Sequence, residues 1–485
     1  MMKNKLLIPV LAAVISLSSC TRYVDEINDD PNQPTDAGVP NLVQGVQLSN
    51  QFWQSGESNR LAMLWLNQAT GADRQYIALN DWNTAQSTIF DGIWNEAMVN
   101  TISQAQVLQE KAEALGNTST LGMAQVLEAN AFGTLTSLFG DIPFSQVNKF
   151  EEFPNPAYES QQDVYAGVQN LLSDAILNLT DASGEIKNDL VYDGDESAWI
   201  ALAYTLKARY YLHVENYQEA LANAQFGISS ADGDYKAVYG TSYGADFNPF
   251  YSFLVYDRPG YMSAADAYAP QLLDPTTDLY RGNAKTDETA RFNFNYLDYF
   301  EYYNNGYELN FLSLYDWGYP DGKFGTESDM PLVTYGENLL IIAEAEARLN
   351  GLEAGITAYN AYRAELDAGY SIGTNNDGYA GVDEPFNYDD YEAADFASGG
   401  IENADGKDPV AALLREIYEE RYVYFNGHYE SFTDFNRTNN IAEIQLKPGF
   451  TGNAERFVYP QVEVSGNSSV PSPLPGVQDP TPVHQ

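Results

Sequence analysis

Apolar residues recur at helical spacing through the first half of the chain, from about residue 41 to residue 230. Within 41–70 the apolar side chains that fall on one helical face are Leu42, Val46, Leu61, Leu64 and Trp65. The stretches 121–138 and 163–179 repeat this spacing. A period near 3.6 residues is typical of helices that bury one face against a neighbour. The pattern therefore predicts a mostly α-helical fold.

The clearest pair of helices lies between Glu196 and Ser230. Trp199 and Leu202 begin its first apolar face, a turn follows at 215–216, and Tyr217 opens the second helix. This order resembles a tetratricopeptide repeat, in which each helix pair buries its apolar face on the next pair. A second pair is predicted at 338–349 and 352–366, where any antiparallel helical hairpin fits equally well. The fold class expected is a scaffold of tetratricopeptide-like helix pairs.

Two long segments break the helical pattern, at about 232–330 and 368–409. Both are dense in Gly, Asn and Tyr, and 292–320 holds twelve aromatic residues without one Lys or Arg. We expect loops and short strands laid over the scaffold, with helix returning at 410–425. The tail 465–485 contains five prolines and is expected to be extended or disordered.

The N-terminus combines a positive start, an apolar run over 6–17 and the sequence Leu-Ser-Ser-Cys at 17–20. This order is typical of a secretory signal peptide. It also resembles a bacterial lipobox, which implies a lipid on Cys20; an ordinary signal peptide with an incidental cysteine is the alternative. Residues 21–40 are acidic and proline-rich, which predicts a flexible tether. Cys20 is the only cysteine, so the mature chain holds no disulfide between its own cysteines.

The balance of charge is strongly acidic. The chain has 68 Asp and Glu against 24 Lys and Arg, a formal net charge of −44. Phosphate binding needs a basic face, so nucleic acid is excluded as an expected partner. The acidity itself is explained by solubility or by a salty habitat. The 36 Tyr residues are more informative, because tyrosine combines an apolar face with a polar tip.

Candidate catalytic motifs are weak, and no enzyme activity, cofactor or metal is predicted. Residues 240–244 match G-x-S-x-G, but a nucleophile elbow needs a helix directly after the serine, and Pro249 opposes one. The chain has only three histidines. A glycosidase needs two carboxylates at a set separation, and no pair is marked. The segment 403–408 faintly resembles a calcium loop but lacks its terminal glutamate, which favours a plain turn.

Several segments together resemble the SusD/RagB family of outer-membrane nutrient-binding lipoproteins. They are the lipobox at 17–20, the Phe-Gly-Asp-Ile-Pro turn at 139–143, the helices at 201–213 and 337–349, and the charged residues Glu420, Arg421, Asp434 and Arg437. One departure is His428 to Ser431, where many members carry Glu-Gly-x-Arg, which indicates a divergent branch. The four charged residues are interpreted as an internal ion-pair network.

The resemblance implies a cell-surface lipoprotein, anchored in the outer membrane through Cys20, with a single helical domain at 41–464. Its loop-rich face would capture an oligomeric nutrient, a glycan or in some branches a peptide. Its expected partner is a TonB-dependent outer-membrane transporter of the SusC type. A surface-anchored hydrolase and an adhesion lipoprotein are the alternatives.

The candidate ligand-binding residues are aromatic residues in loops. Trp65, Trp94 and Trp199 lie on apolar helix faces and are expected in the core. Polar, turn-forming neighbours flank Trp82 and Asn83, and Tyr315 and Trp317 belong to the aromatic insertion. Exposed aromatic rings stack on the C–H faces of sugars while nearby polar groups bind hydroxyls. We predict that these four residues form one glycan site, with the two loops facing each other.

Overall fold

The computed structural model describes residues 37–298, 306–373 and 385–484. The helices of its first half are α1 (Val39–Gln54), α2 (Glu57–Trp65), α3 (Arg74–Leu79), α4 (Asp91–Asn95), α5 (Gln104–Leu115), α6 (Thr118–Phe139), α7 (Gln161–Thr180), α8 (Glu196–His213) and α9 (Tyr217–Ala224). The later helices are α10 (Pro249–Tyr251), α11 (Tyr268–Leu273), α12 (Thr289–Asn295), α13 (Leu314–Trp317), α14 (Tyr335–Asn350), α15 (Leu352–Asp367), α16 (Ala393–Phe396), α17 (Pro409–Tyr424), α18 (Glu430–Arg437) and α19 (Gln461–Gly466). The fold is mostly α, as the periodicity predicts.

The strands of the described residues are short and form antiparallel two-stranded ribbons. In chain order they are β1 (Thr70–Gly71), β2 (Ile142–Pro143), β3 (Tyr158–Glu159), β4 (Tyr235–Ala237), β5 (Met262–Ser263), β6 (Thr286–Asp287), β7 (Tyr296–Asp298), β8 (Tyr307–Leu309), β9 (Met330–Val333) and β10 (Asn387–Tyr388). The pairs are β1 with β5, β2 with β3, β4 with β9, β6 with β10, and β7 with β8. Such small ribbons fasten the loops rather than form a sheet of their own.

Side-chain caps explain where the long helices begin. Asn117 accepts the backbone N–H of Thr120 at 3.0 Å and starts α6, and Thr334 starts α14 in the same way. Asp195 caps α8, while Asp408 caps α17 with Pro409 as its first residue. These side-chain oxygens bind N–H groups that have no partner inside a helix. The caps hold the scaffold helices at fixed starting points.

Helix α6 lies at the centre of the scaffold and is buried on nearly all sides. It packs against α7 and α8, and glycines permit the close approach. A Cβ at Gly122 would lie 2.6 Å from the Leu179 side chain, and one at Gly133 would lie 2.1 Å from the Tyr210 ring. The α8–α9 and α14–α15 hairpins stack on each other through α9 and α14. Both predicted helix pairs are therefore confirmed.

The helical backbone is interrupted within the range 41–70, where the sequence shows continuous helical spacing. The range 41–70 contains two helices, α1 and α2, which are separated at Ser55 and Gly56 and end at Trp65. Gly56 has a non-helical backbone (φ −106°, ψ −120°), so the chain changes direction there. The apolar spacing continues across the break, which explains why the pattern alone does not reveal it.

The described parts of the two insertions contain the expected loops and short strands. They also contain short helices such as α11 and α12, which the sequence does not predict. The tail is extended, which is one of the two states that the sequence predicts. After α19 it runs along the body, where Asn467 donates to the Pro156 carbonyl at 2.9 Å and Val483 donates to Gln161 at 3.0 Å. Tail prolines restrict the backbone of an extended segment that the body binds.

Buried ion pairs fix the C-terminal helices to the scaffold. Arg421 of α17 binds Asp434 of α18 at 2.7 Å, and Arg437 binds Glu344 of α14 at 2.7 Å. Glu420 binds Arg291 of α12 at 2.6 Å. All of these side chains are nearly inaccessible to solvent. The predicted internal ion-pair network is confirmed, and Arg281 and Arg291 extend it into the first insertion.

The apolar core is continuous through the described chain and includes Trp65, Trp94 and Trp199, as predicted. No helix within residues 37–298, 306–373 and 385–484 has both the length and the apolar character needed to cross a membrane.

Candidate functional site

Four exposed aromatic side chains lie on two segments that are distant in sequence and in contact in the structure: Tyr243, Tyr256, Tyr315 and Trp317. We call these four side chains the aromatic platform. Between 43% and 57% of each side chain is exposed to solvent. The buried ring of Phe247 joins the segments, since its centroid lies 5.9 Å from Tyr243, 5.7 Å from Tyr256 and 5.9 Å from Tyr315. Tyr243, Tyr256 and Tyr315 are thus gathered around Phe247, and Trp317 lies two residues after Tyr315. Exposed apolar rings concentrated in this way indicate a binding surface.

Local structure holds the second half of the platform. Tyr315 and Trp317 lie on the four-residue helix α13, which Ser313 caps by accepting the N–H of Asp316 at 3.3 Å. The Ser313 hydroxyl is itself bonded to Thr326 at 2.7 Å. Gly318 ends the helix in the left-handed conformation, at φ 73°. Phe311 packs edge-on against Trp317, with centroids 5.5 Å apart. The cap, the Ser313–Thr326 hydrogen bond and the Phe311 contact therefore fix the position of the short helix that contains Tyr315 and Trp317.

The first half of the platform is held by Asn248 and a pair of stacked rings. Asn248 is buried; its side chain caps α10 and donates to the Ser328 carbonyl at 2.7 Å. The chain then makes a wide helical turn through 252–257. This turn brings Tyr256 onto Tyr243, with ring centroids 4.6 Å apart and planes 26° apart. Stacked rings of this kind form a rigid surface with little side-chain freedom to lose on binding.

Two carboxylates lie among the rings. Asp316 accepts hydrogen bonds from the hydroxyls of Tyr251 and Tyr256, the latter at 3.0 Å, and Asp257 accepts from Tyr243 at 2.7 Å. These hydrogen bonds raise the pKa of Tyr256 and of Tyr243 above the usual value of 10.0, because ionising either hydroxyl would remove a donor from a carboxylate. The tyrosines therefore remain donors, and they hold both carboxylates in place.

A cleft of about 920 Å³ adjoins the platform. Its lining includes Phe247 and Asp257, both of which contact Tyr243 of the platform. One wall is the exposed side of α1, including Leu48 and Phe52, and the other is the 244–257 segment. In the cleft the Arg60 guanidinium lies 4.3 Å from the centroid of the Phe253 ring and is paired with Glu57. Together the cleft and the platform offer apolar faces with hydrogen-bond acceptors beside them.

The prediction that Trp82 is exposed is wrong. Only 1% of its side chain is accessible, and its ring packs edge-on against Phe450 with centroids 5.6 Å apart. Its neighbours are polar because they form a tight turn at 82–84, which Asp81 caps, while the indole points into the core. A buried indole has no face for a ligand. Trp82 is therefore a core residue in this structure.

The other predicted site residues are on the surface but do not form one cluster. Asn83 is exposed and bonds to Asp81 at 3.0 Å. Within the described residues, no hydrogen bond or ring contact joins Trp82 or Asn83 to Tyr315 or Trp317. Tyr315 and Trp317 are exposed, as predicted, and their binding role remains a prediction. Cys20 lies outside the described residues.

The weak catalytic motifs form no reactive arrangement among the described residues. Residues 240–244 form a turn in which the Ser242 N–H donates to Asp246, and a three-residue helix begins only at Pro249. The side chain of His428 is buried, and burial lowers its pKa to about 3. Asn403 closes the turn at 403–408 by bonding to Lys407. No group of three or more metal-binding side chains occurs in the part of the chain that the structure describes.

Sequence reasoning missed Tyr243, Tyr256, Asp257 and Asp316. A signal for the first segment was present, since Tyr243, Phe247, Tyr251 and Tyr256 follow one another at intervals of four or five residues. Their meaning depends on α13, which contributes the other rings, so the intervals alone do not indicate a surface. Asp316 stands between the two predicted site residues and could have been included with them.

Comparisons with known proteins agree on the fold. A family model described as "Starch-binding associating with outer membrane" matches residues 41–460. No curated protein sequence matches the chain.

Solved structures match the chain over nearly its whole length. A SusD/RagB family protein from Bacteroides thetaiotaomicron is 21% identical, with a TM-score of 0.61, and the match covers 90% of this chain and 95% of that one. A SusD homologue from Parabacteroides distasonis is 16% identical at a TM-score of 0.66, covering 93% and 98%. A chitin-binding SusD homologue from Flavobacterium johnsoniae is 16% identical at a TM-score of 0.59, covering 91% and 98%. These likenesses show a shared fold.

Proposed function

Because the chain belongs to the SusD-like family of starch-binding proteins that associate with the outer membrane, we propose that it binds an oligosaccharide at the aromatic platform. The bound nutrient is then delivered to a TonB-dependent transporter of the SusC type. The protein performs no chemistry on its ligand in this account. A lipid on Cys20 holds it at the outer membrane, on the outer face of the cell.

The observation that carries this proposal is the exposure of four aromatic side chains on two segments that contact each other through Phe247 and Tyr315. A pyranose ring has an apolar C–H face and a rim of hydroxyl groups. Stacking on Tyr or Trp buries the apolar face, and each aromatic contact contributes about 0.5–1.5 kcal/mol beyond its buried area. Asp257 and Asp316 supply acceptors for the hydroxyl rim. Several rings in a row suit an oligomer better than a single sugar.

The cleft beside the platform supports the same proposal. Its volume of about 920 Å³ lies near the upper end of the range for ligand sites, roughly 300–1,000 Å³. The shared residues Phe247 and Asp257 let one chain of sugars lie across the platform and enter the cleft. The solved relative from Flavobacterium johnsoniae is a chitin-binding protein, which makes a glycan a reasonable ligand class here.

The test uses the purified chain without residues 1–20. Retardation of the protein in gels that contain soluble polysaccharides is measured across a panel, and short peptides are titrated by calorimetry in parallel. Chromatography of the same incubations reports any product. We expect retardation by at least one glycan, no peptide binding and unaltered glycan chains.

Each contrary result selects a different function. Release of shorter sugars by the protein alone would identify a surface hydrolase. Binding of peptides without any glycan would reassign the ligand class. Failure to bind any soluble ligand would favour an adhesion protein.

A further inference from the structure

The two segments that carry the platform have an uneven charge. Residues 239–261 and 311–320 contain Asp246, Asp257 and Asp316 but only one basic residue, Arg258. The cleft adds the exposed edge of Glu96, while its Arg60 is already paired with Glu57. A ligand on the platform therefore meets more negative than positive groups.

The platform carboxylates are positioned and still able to bind a ligand. The tyrosine hydroxyls occupy Oδ2 of Asp316 and Oδ1 of Asp257. The second oxygen of each carboxylate has no hydrogen-bond partner among the described residues. An ammonium group beside these oxygens would also lie near the faces of the Tyr and Trp rings, which attract cations. A carboxylate or sulfate in the same place would face like charge, with Arg258 as the single basic side chain of residues 239–261 and 311–320.

The net charge of the whole molecule also disfavours anionic ligands. A formal net charge of −44 creates a negative potential that extends beyond the surface at low ionic strength. This potential lowers the local concentration of anionic polymers before any contact forms. The charge of the platform and that of the chain are therefore additive.

We propose that the platform selects its oligosaccharide by charge, in the order amine-bearing, then neutral, then carboxylate- or sulfate-bearing sugars of the same backbone. This inference rests on the proposed function, because it names the ligand class of the same site. The acidity of the chain is thereby given a role in selectivity in addition to solubility.

The test compares three probes that differ only in charge. They are a neutral hexasaccharide cut from the polysaccharide that retards the protein, its 6-amino-6-deoxy derivative and its C6-carboxylate derivative. Calorimetric titrations are run in about 20 mM and about 500 mM NaCl. Two unit charges about 4 Å apart in water interact with an energy of about 1 kcal/mol. The affinities of successive probes, from amine to neutral to carboxylate, should therefore differ about fivefold at low salt. Screening by salt should reduce these differences in affinity at about 500 mM NaCl.

Matched variants separate the platform from the overall charge. Asp257→Asn with Asp316→Asn keeps the acceptors and should remove most of the spread among the three probes. Asp174→Asn with Asp390→Asn changes the net charge by the same amount at exposed positions outside the platform. This variant should keep most of the spread in affinity among the three probes. Arg258→Gln should widen the spread. Melting temperatures confirm that each variant is folded.

Several results would overturn the inference. One is a carboxylate probe that binds wild-type protein as tightly as the neutral probe at low salt. Another is an equal loss of spread in both double variants, which would assign the selectivity to net charge alone. If the neutral hexasaccharide itself does not bind in solution, the proposed function fails instead, so the two failures are distinguishable.

Discussion

Arg421 is a buried cation whose only close anionic partner in the described chain is Asp434, at 2.7 Å. Removing one partner of a buried pair costs about 3–5 kcal/mol when the other charge is left without compensation. Here Arg437 still binds Asp434 at 2.7 Å, so the cost is that of the lost charged hydrogen bonds. We expect Arg421→Ala to lower the free energy of unfolding by about 1.5–3 kcal/mol, measured by urea denaturation. The folded fraction should bind glycan as the parent does, because the Arg421 side chain is buried against Asp434 and Phe425.

Arg415→Ala is the matched control. Arg415 pairs with Asp405 at 2.9 Å, but Asp405 is half exposed, and solvent screening makes such pairs contribute far less than buried ones. Equal losses in the two variants would contradict a buried network. A stable Arg421→Ala protein that no longer binds glycan would place Arg421 in the ligand site.

Glu416 gives the buried network a dependence on pH. Burial raises its pKa from 4.5 to about 8, and Glu402 adds to the rise while Arg281 opposes it. The folded state therefore retains a proton that the unfolded state releases, so the stability from this group falls as pH rises from about 4.5 to about 8. The slope cannot exceed about 1.4 kcal/mol per pH unit.

Glu416→Gln should remove this loss. Urea denaturation at pH 5, 6.5 and 8 should show the variant gaining on wild-type protein as pH rises. Glu344 is a contrast, because Arg437 opposes the effect of burial and lowers the pKa of Glu344 to about 2. The contribution of Glu344 to stability is fully present above about pH 4.5 and is lost as the pH falls towards about 2. A constant difference between Glu416→Gln and wild type would contradict the raised pKa.

Two tryptophans show what a sequence conveys about single residues. Trp82 and Trp317 both have polar, turn-forming neighbours, yet 1% of one side chain and 44% of the other is exposed. Phe450, from a distant part of the chain, covers Trp82. Local neighbours indicate a turn, but burial of the side chain depends on contacts that are distant in sequence. The exposed Tyr315 and Trp317 were predictable, and the burial of Trp82 was not.

At the scale of elements, local signals placed the long helices well. The predicted ranges 338–349 and 352–366 differ from α14 and α15 by a few residues at most. Their apolar spacing lies within the helices themselves, and the capping residue of α14, Thr334, directly precedes that helix. The ribbons were not placed, because pairs such as Thr70 with Ser263 join segments nearly 200 residues apart. Two-residue strands carry no periodicity of their own.

The C-terminal tail is an element whose role can be tested. Residues 467–484 bind the loop before α7 through Asn467 and reach the scaffold through His484, whose ring nitrogen lies 3.3 Å from the His213 carbonyl. Deleting 467–485 should lower the free energy of unfolding by on the order of 1 kcal/mol for each lost hydrogen bond. Thermal melting measures the loss, with deletion of residue 485 alone as the control. A tail deletion as stable as the parent would contradict a structural role.

At the scale of the whole molecule, attachment to the membrane is proposed to depend on Cys20. Cys20→Ala should abolish recovery in the membrane fraction and leave a folded, secreted protein, because it removes the side chain that is proposed to carry the lipid. Fractionation in a strain without the partner transporter provides the measurement. A Ser19→Ala variant retains the cysteine and a small residue before it, so it should stay attached. Continued attachment of Cys20→Ala would show that another feature anchors the protein.

The central claim is that the aromatic platform binds a glycan, and one titration tests it most directly. Calorimetry compares wild-type protein, the double variant Tyr315→Ala with Trp317→Ala, and Phe226→Ala, which removes a ring that is 64% exposed elsewhere. Loss of two stacking contacts should weaken binding roughly tenfold or more in the double variant. Phe226→Ala should bind as wild type does, and all melting temperatures should remain close. A stable double variant with unchanged affinity would contradict the account.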